Sequence, residues 1–288
     1  MSTSPTARRR RLGHELRRLR EAAQLRADEV AAQLHWSATK MSRIETGQVS
    51  VHHGDVADLL DIYGVSDEDL RAELSDMARQ SRLKGWWHRH RDTFKRGFDS
   101  YIGLENDARG IRTYQSQVVP GLLQTEAYAR AVINTIAAGQ TPADILEKKI
   151  AVRLSRQELL TRTAPMTLHA ILDEAVLRRN VGGSETMAEQ RDALISMGKL
   201  PNITLQVLPF SAGAHVALDG EFSILEFPDS KDPDVVYLEQ RTSGLVLEEP
   251  NELDCYSMMF IQLSAQALDP DQSAAFIASL TWLEEAAR

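Results

Sequence analysis

Ser37, Thr39, Lys40, Ser42 and Arg43 crowd into one short stretch of sequence. Lys and Arg at this spacing can donate to guanine O6 and N7 or to phosphate oxygens, and the hydroxyls of Thr and Ser can serve either purpose. Such donors read base edges only when one face of a helix carries them together into the major groove. The intervening residues supply that condition. Met41 and Ile44 sit at helical spacing and turn one face inward, so Thr39, Lys40, Ser42 and Arg43 point outward. Ser37 is a good N-cap for this helix, because its hydroxyl can accept an orphan backbone N–H.

A short helix over residues 27–34, carrying Val30, Ala31 and Leu34, precedes it across a tight turn at His35-Trp36. Ala31 is small where the two helices must approach closely. Arg26, at the entry to the first of these helices, joins the candidate DNA-binding set. Around the pair, Leu12, Leu16 and Leu19 predict a preceding helix. A fourth carries Val56, Leu59, Leu60 and Ile62 with Asp55 as its expected cap, and a fifth opens at a Ser66/Asp69 capping box. Residues 12–78 are thus expected to form a five-helix bundle.

Charge is divided in the same way. The chain of 288 residues has a net charge of −8, yet residues 1–50 hold ten Lys/Arg against five acids, +5, while the remainder is −13. A basic head on an acidic body suits a head that meets phosphate. Residues 1–11 read as a basic tail in which Arg8–Arg11 form either an arm toward DNA or a solubilising extension. Residues 79–97, rich in Arg79, Arg82, Lys84, Trp86, Trp87, His88, Arg89, Lys95 and Arg96, read as a junction that either touches DNA flanks or, the favoured reading, packs its indoles at a domain or dimer interface.

Residues 98–288 are expected to form an α+β or α/β domain. Helices are predicted over 101–114, 125–137, 142–160 and 274–287. Strands are predicted at 166–172, 203–208, 222–227 and 235–238, with weaker ones at 244–247 and near Tyr256. Glu105, Arg109 and Arg112 would share the first helix, Thr125 would cap the next beside Gln124, and Arg153, Arg156 and Gln157 recur at helical spacing. These eight are a candidate pocket for a nucleotide, an acidic metabolite or a partner, although pairing on surfaces or between helices is the favoured account of them.

Catalytic constellations are absent from the sequence. Asp173-Glu174 is explained by a helix start, and His52-His53 and His88-x-His90 lack the further ligands that zinc needs. Cys255, the single cysteine, lies in an apolar run and is expected to be buried. There is no P-loop, G-x-S-x-G or G-x-G-x-x-G, and no catalytic residue, cofactor or metal is assigned. With no apolar stretch near about 18 residues and no apolar segment after Arg11, a cytoplasmic chain is expected.

Two resemblances sharpen this reading. The string A-x-x-L-H-W-S-x-T-K-M-S-R-I-E-x-G, with L-x-x-L-R-E-A-A-Q-L before it, resembles the phage-repressor/Cro (XRE) helix-turn-helix family. This chain departs from that pattern with Ala27 at a position often held by a phosphate-binding Gln, and with Gln24 and His35 at positions often held by Gly. The strings YIGLENDARGIRTYQSQVVPGLLQTEAYARAVI, RLSRQELL, LDEAVLRRNVGG and NITLQVLPFSAGAH resemble the C-terminal domain of actinobacterial WhiJ-like regulators. That resemblance implies a lambda-repressor-like head, transcriptional control of development or antibiotic production, and often a small partner protein encoded nearby. A homodimer on double-stranded DNA, an antitoxin-type module that neutralises a small partner, and a sensor of a small-molecule ligand all remain open at this point.

Overall fold

The structure, a computed structural model, describes residues 5–83, 85–95, 97–229 and 232–281. Backbone contacts divide the chain into two compact units. One comprises Met1–His88, Asp99–Asp107 and Asp229–Asp232, and the other holds the rest.

The first unit contains α1 (Pro5–Ala22), α2 (Ala27–Gln33), α3 (Ala38–Glu45), α4 (His53–Ile62) and α5 (Glu68–Ser81), with most of α6 (Phe98–Asp107). Leu12, Leu16, Val30, Ala31, Met41, Ile44, Val56, Leu59, Leu60, Leu74 and Ala78 bury together as one core, so the expected five-helix arrangement is present. Its details differ from the sequence reading. Arg8–Arg11 lie within α1, not in a tail or an arm, and Arg10 is buried. It occupies an inward position of the same stripe as Thr6 and Gly13, a place that a polar residue type conceals in the sequence. Capping also moves. His52 caps α4 through Nδ1, which accepts from Gly54 N–H at 3.1 Å. Asp67, not Ser66, caps α5, accepting from Asp69 and Leu70 N–H.

The second unit is α+β. Its helices are α7 (Glu126–Ile136), α8 (Ala143–Gln157), α9 (Glu174–Arg178), α10 (Ser184–Met197), α11 (Pro250–Gln266) and α12 (Pro270–Ser279). Its strands are β1 (Gly110–Gln115), β2 (Thr167–Asp173), β3 (Ile203–Leu208), β4 (Phe222–Glu226), β5 (Val235–Glu239) and β6 (Gly244–Leu247). The six strands form one mixed sheet in the order β3-β2-β1-β4-β5-β6. β1, β2 and β3 are parallel, joined through helices as parallel neighbours must be, whereas β4, β5 and β6 continue antiparallel with short connections. The outer edge of β3 is covered at Val207, whose N–H donates to Ser273 Oγ at 2.9 Å and whose carbonyl accepts from Leu268 N–H at 2.9 Å, which blocks a foreign strand from pairing at that residue.

Several expectations are corrected here. The helix expected over 101–114 stops at Asp107, and residues 110–115 are a strand in register with β2, Tyr114 opposite Ile171. The strand expected near Tyr256 is α11, with Pro250 in its first turn. Cys255 is exposed on that helix, while Phe260 and Leu263 face the core. The last helix among the described residues is α12, ending at Ser279; the span predicted for the final helix lies outside the described residues from residue 282, as do Lys84 and Arg96 of the junction. Trp87 is buried, edge-on to Trp86. No helix among the described residues is long and apolar enough to cross a membrane.

One partly buried polar network is expected to make the second unit sensitive to acid. His169 Nε2 lies 2.7 Å from Gln206 Oε1, which also accepts from Ser264 Oγ at 2.7 Å. Burial, and then the charge of Arg112, hold this imidazole below its ordinary value of 6.5 despite the Gln206 contact. The unfolded chain therefore binds the proton more readily than the folded one. Stability present above the ordinary value is lost as pH falls through it toward the lower folded value. Thermal unfolding of the wild-type chain is expected to shift downward on acidification in that window. His169→Gln should show a smaller shift, and an equal shift in the variant would assign the sensitivity elsewhere.

Candidate nucleic-acid interface

α3 begins where the sequence places it. Ser37 is in extended backbone and its Oγ accepts from Lys40 N–H at 3.1 Å. Met41 and Ile44 are 0% and 2% exposed, which fixes the helix roll, and Thr39, Lys40, Ser42 and Arg43 are all exposed on the opposite face. The four candidate readers are thus brought together.

They are not equivalent. Lys40 Nζ sits 3.5 Å from the centroid of the Trp36 ring and 3.6 Å from Asp55 Oδ2. A cation over an indole and beside a carboxylate is held near its own surface. Arg43 has no ion pair among the described residues, so its guanidinium is available to a ligand. Arg26 is exposed and forms a bidentate pair with Asp28, at 3.1 and 3.0 Å, within the first turn of α2. Asp28 thus competes for the donors that a phosphate would need. Neither Trp36 nor Asp55 was marked as a modulator by the sequence. The four-residue spacing of Trp36 and Lys40 was the available signal.

The turns on either side of α2 adopt backbone that glycine favours. Gln24 has φ 58° and His35 φ 54°, at the two positions where the resemblance anticipates Gly. Arg20 braces the first turn, since its backbone carbonyl accepts from Leu25 N–H at 3.1 Å and its guanidinium donates to Leu25 O at 2.8 Å. At the second, Trp36 N–H donates to Ala31 O at 2.8 Å and closes the turn that aims α3.

The eight residues proposed as a pocket are not one site. Glu105 is fully buried on α6 in the first unit. Arg109 is exposed just before β1, and Arg112 is on β1, paired with Glu226 at 2.8 Å. The end of α6 separates Glu105 from both arginines, so no shared helix face exists. The other five do converge, around the segment 119–125. Gln124 Nε2 donates to Val119 O and its Oε1 accepts from Arg153, both at 2.6 Å. Gln157 Nε2 donates to Gln124 O at 2.6 Å. Arg156 is buried, stacked over Phe98 at 5.3 Å. Thr125 caps α7 by accepting from Tyr128 N–H, and its own N–H donates to Gln190 Oε1 at 2.8 Å. The polar groups here are engaged with one another, which ties α7, α8 and α10 to an irregular segment. Gln190, the centre of that tie, carries no sequence signal of its own.

Asp173 and Glu174 also have structural partners: Asp173 caps α9 by accepting from Ala175 N–H at 2.8 Å, and Glu174 accepts from Phe210 N–H at 2.8 Å. The sequence did not indicate that Tyr114 and His215 would join Asp173 at the ends of β1 and β2, with Tyr114 Oη 3.3 Å from Asp173 and 3.4 Å from His215. Burial first, then the nearby Asp173 carboxylate, pushes the Tyr114 phenol above its usual range.

Comparison with known families finds two matches along the chain, the longer of which includes α6 of the first unit. A family described as a domain of unknown function, DUF5753, matches residues 98–279, the larger part of the chain. The chain belongs to the DUF5753 family. A helix-turn-helix domain matches residues 11–74, covering α2, α3 and the Arg43 face. No curated protein and no solved structure matches the chain. This DUF5753 protein therefore carries its family's uncharacterised domain behind a helix-turn-helix head of the kind found in DNA-binding regulators.

Proposed function

We propose that this protein is a sequence-specific transcriptional regulator that places Ser37–Glu45 in the major groove, acts as a homodimer on paired half-sites, and is controlled through its DUF5753 unit by a small partner protein or ligand. The observation that supports it most directly is the exposed, unpaired Arg43 on a capped helix whose other face is locked into the core. The resemblance of the C-terminal strings to WhiJ-like regulators supports a role in development or secondary metabolism. The mutual engagement of polar groups around Gln124 and Gln190 supports a non-catalytic, scaffolding role for that segment.

Selection of DNA sequences by the purified chain tests the reading. A short palindrome is expected. Arg43→Ala should weaken binding to it by about 1–3 kcal/mol with less loss on unrelated DNA, if Arg43 reads a base. Equal affinity of the variant for the selected sequence would remove Arg43 from the readers. Recovery of no sequence preference by the wild-type chain would overturn the proposal.

A further inference from the structure

We infer that the last turn of α5 and the first turn of α4 form a second DNA contact, a phosphodiester anchor made by Arg82, Arg79 and His53 alongside the recognition helix. It rests on the proposed binding of DNA by α3, and it assigns a purpose to two arginines of the basic segment that the recognition helix does not use.

Placement comes first. Lys40 Nζ on α3 is 3.6 Å from Asp55 Oδ2, so the first turn of α4 borders the reading face. His53, two residues before Asp55, is partly exposed, and its ring lies 4.2 Å from that of His52. α5 packs against the same helix. Val56, Leu59 and Leu60 of α4 share a buried core with Leu74 and Ala78 of α5, and the charges of Arg79 and Arg82 reach His53. Desolvation first, then His52 and these two arginines, hold its imidazole below the ordinary value. The first turn of α4 therefore borders Lys40 of the reading face, and the helix that carries it packs against α5, whose end bears Arg79 and Arg82.

Chemistry comes second. Arg82 is exposed with no acidic partner among the described residues. Arg79 pairs with Asp76 at 3.0 Å, but the two side chains are 59% and 63% exposed, and such a surface pair contributes little and exchanges readily for another anion. Asp55 and Asp76, on the same two helices, are each already opposed by a cation. His52 Nδ1 accepts from Gly54 N–H, which leaves its other ring nitrogen to carry a proton outward. Two guanidinium groups near a DNA-reading helix, with the imidazole of His53 as a further N–H donor, suit the oxygens of a phosphodiester backbone, which guanidinium groups bind in pairs. Contacts of this type set register and affinity without reading sequence.

The salt dependence of binding by the full chain decides the matter. Affinities of wild type, Arg79→Gln/Arg82→Gln, Arg79→Lys/Arg82→Lys and Arg43→Ala are measured over a range of KCl concentrations, on the selected duplex and on an unrelated one. Each lost phosphate contact flattens the plot of log K against log salt by about 0.9. The Gln pair is expected to flatten it by about 1.8 per protomer on both duplexes, leaving the preference between them unchanged. The Lys pair should keep most of the wild-type slope, because the charge remains. Arg43→Ala should instead reduce the preference. Wild-type slopes in the Gln pair, with thermal unfolding unaltered, would overturn the anchor while leaving α3 as the reader. A Gln pair that loses slope on DNA for which the wild type shows no preference would support the anchor and sink the sequence-reading role. A wild-type chain with no affinity for either duplex would overturn both.

Discussion

Glu45→Ala is expected to destabilise the helix-turn-helix unit by about 3–5 kcal/mol, the usual consequence of removing one partner of a buried ion pair. Arg20 on α1 donates to Glu45 from Nε at 2.6 Å and from a terminal nitrogen at 2.9 Å, and its remaining terminal nitrogen donates to Leu25 O at 2.8 Å. The two side chains are 10% and 7% exposed. Without Glu45 the guanidinium would remain largely out of water, with the Leu25 carbonyl and only the exposed Glu21 carboxylate, 3.7 Å away, as partners. Tyr63 cannot substitute. Its hydroxyl is buried without a hydrogen-bond partner, and burial together with the Glu45 charge pushes its ionisation above the usual range. Because a domain is stable by only about 5–15 kcal/mol in all, this loss takes much of the total. Glu45→Gln keeps an acceptor and should cost less. Urea unfolding read by amide exchange in residues 12–78 would measure both variants. A loss below about 1 kcal/mol for the alanine would put the pair in the class of surface contacts. Glu45 is also the last residue of α3 and its partner braces the Gln24 turn, so DNA affinity is expected to fall together with stability.

The recognition helix was legible because three independent signals coincide in a few residues: the Ser37 cap, the Met41/Ile44 spacing and the outward donors. The Arg20–Glu45 pair that holds it was not legible, since a contact across 25 residues leaves no local pattern. Elsewhere the failures have physical causes. Residues 110–115 follow a helix directly, and their six residues are too few for a period of 2 to stand out from 3.6. The apolar run at Tyr256–Ile261 is equally compatible with a buried strand; Pro250, which favours the first turn of a helix, was the available arbiter. Cys255 was misplaced for the same reason, because an apolar neighbourhood in sequence says nothing of which helix face a residue occupies. In α1 the arginines obscured a continuous stripe whose inward members include Thr6, Arg10 and Gly13. An added Cβ at Gly13 would stand 2.5 Å from the carbonyl oxygens of Ile44 and Glu45, so α1 approaches the end of α3 at a distance that only glycine permits.

In the second unit the most damaging single change is expected at Gln190, which is 1% exposed on α10. Its Oε1 accepts from Thr125 N–H at 2.8 Å and its Nε2 donates to Leu123 O at 2.7 Å. One side chain thus satisfies a backbone donor and a backbone acceptor in a segment with no sheet or helix partner to do so. Gln190→Met keeps the length and much of the volume of the side chain, and its neighbours Leu177, Met187, Leu194 and Ile277 are already apolar, so hydrophobic burial would not fall. Both backbone groups would nevertheless lose their partners. At about 1–3 kcal/mol for each buried group left unsatisfied, the expected loss is about 2–6 kcal/mol. Gln190→Glu separates the two halves of the argument: it retains the acceptor for Thr125 but turns a second oxygen toward the Leu123 carbonyl, so it should be no more stable than the methionine variant. Amide exchange at Leu123 to Tyr128, followed in the full chain, would report the release directly. If exchange there stayed at the wild-type rate in Gln190→Met, the segment would have to be held by Gln124, Arg153 and Gln157 alone. If it rose while the helix-turn-helix amides were unaffected, the tie between α7, α8 and α10 would be a local, separately breakable element of the DUF5753 unit, and a partner or ligand acting there would have a defined structural change to drive.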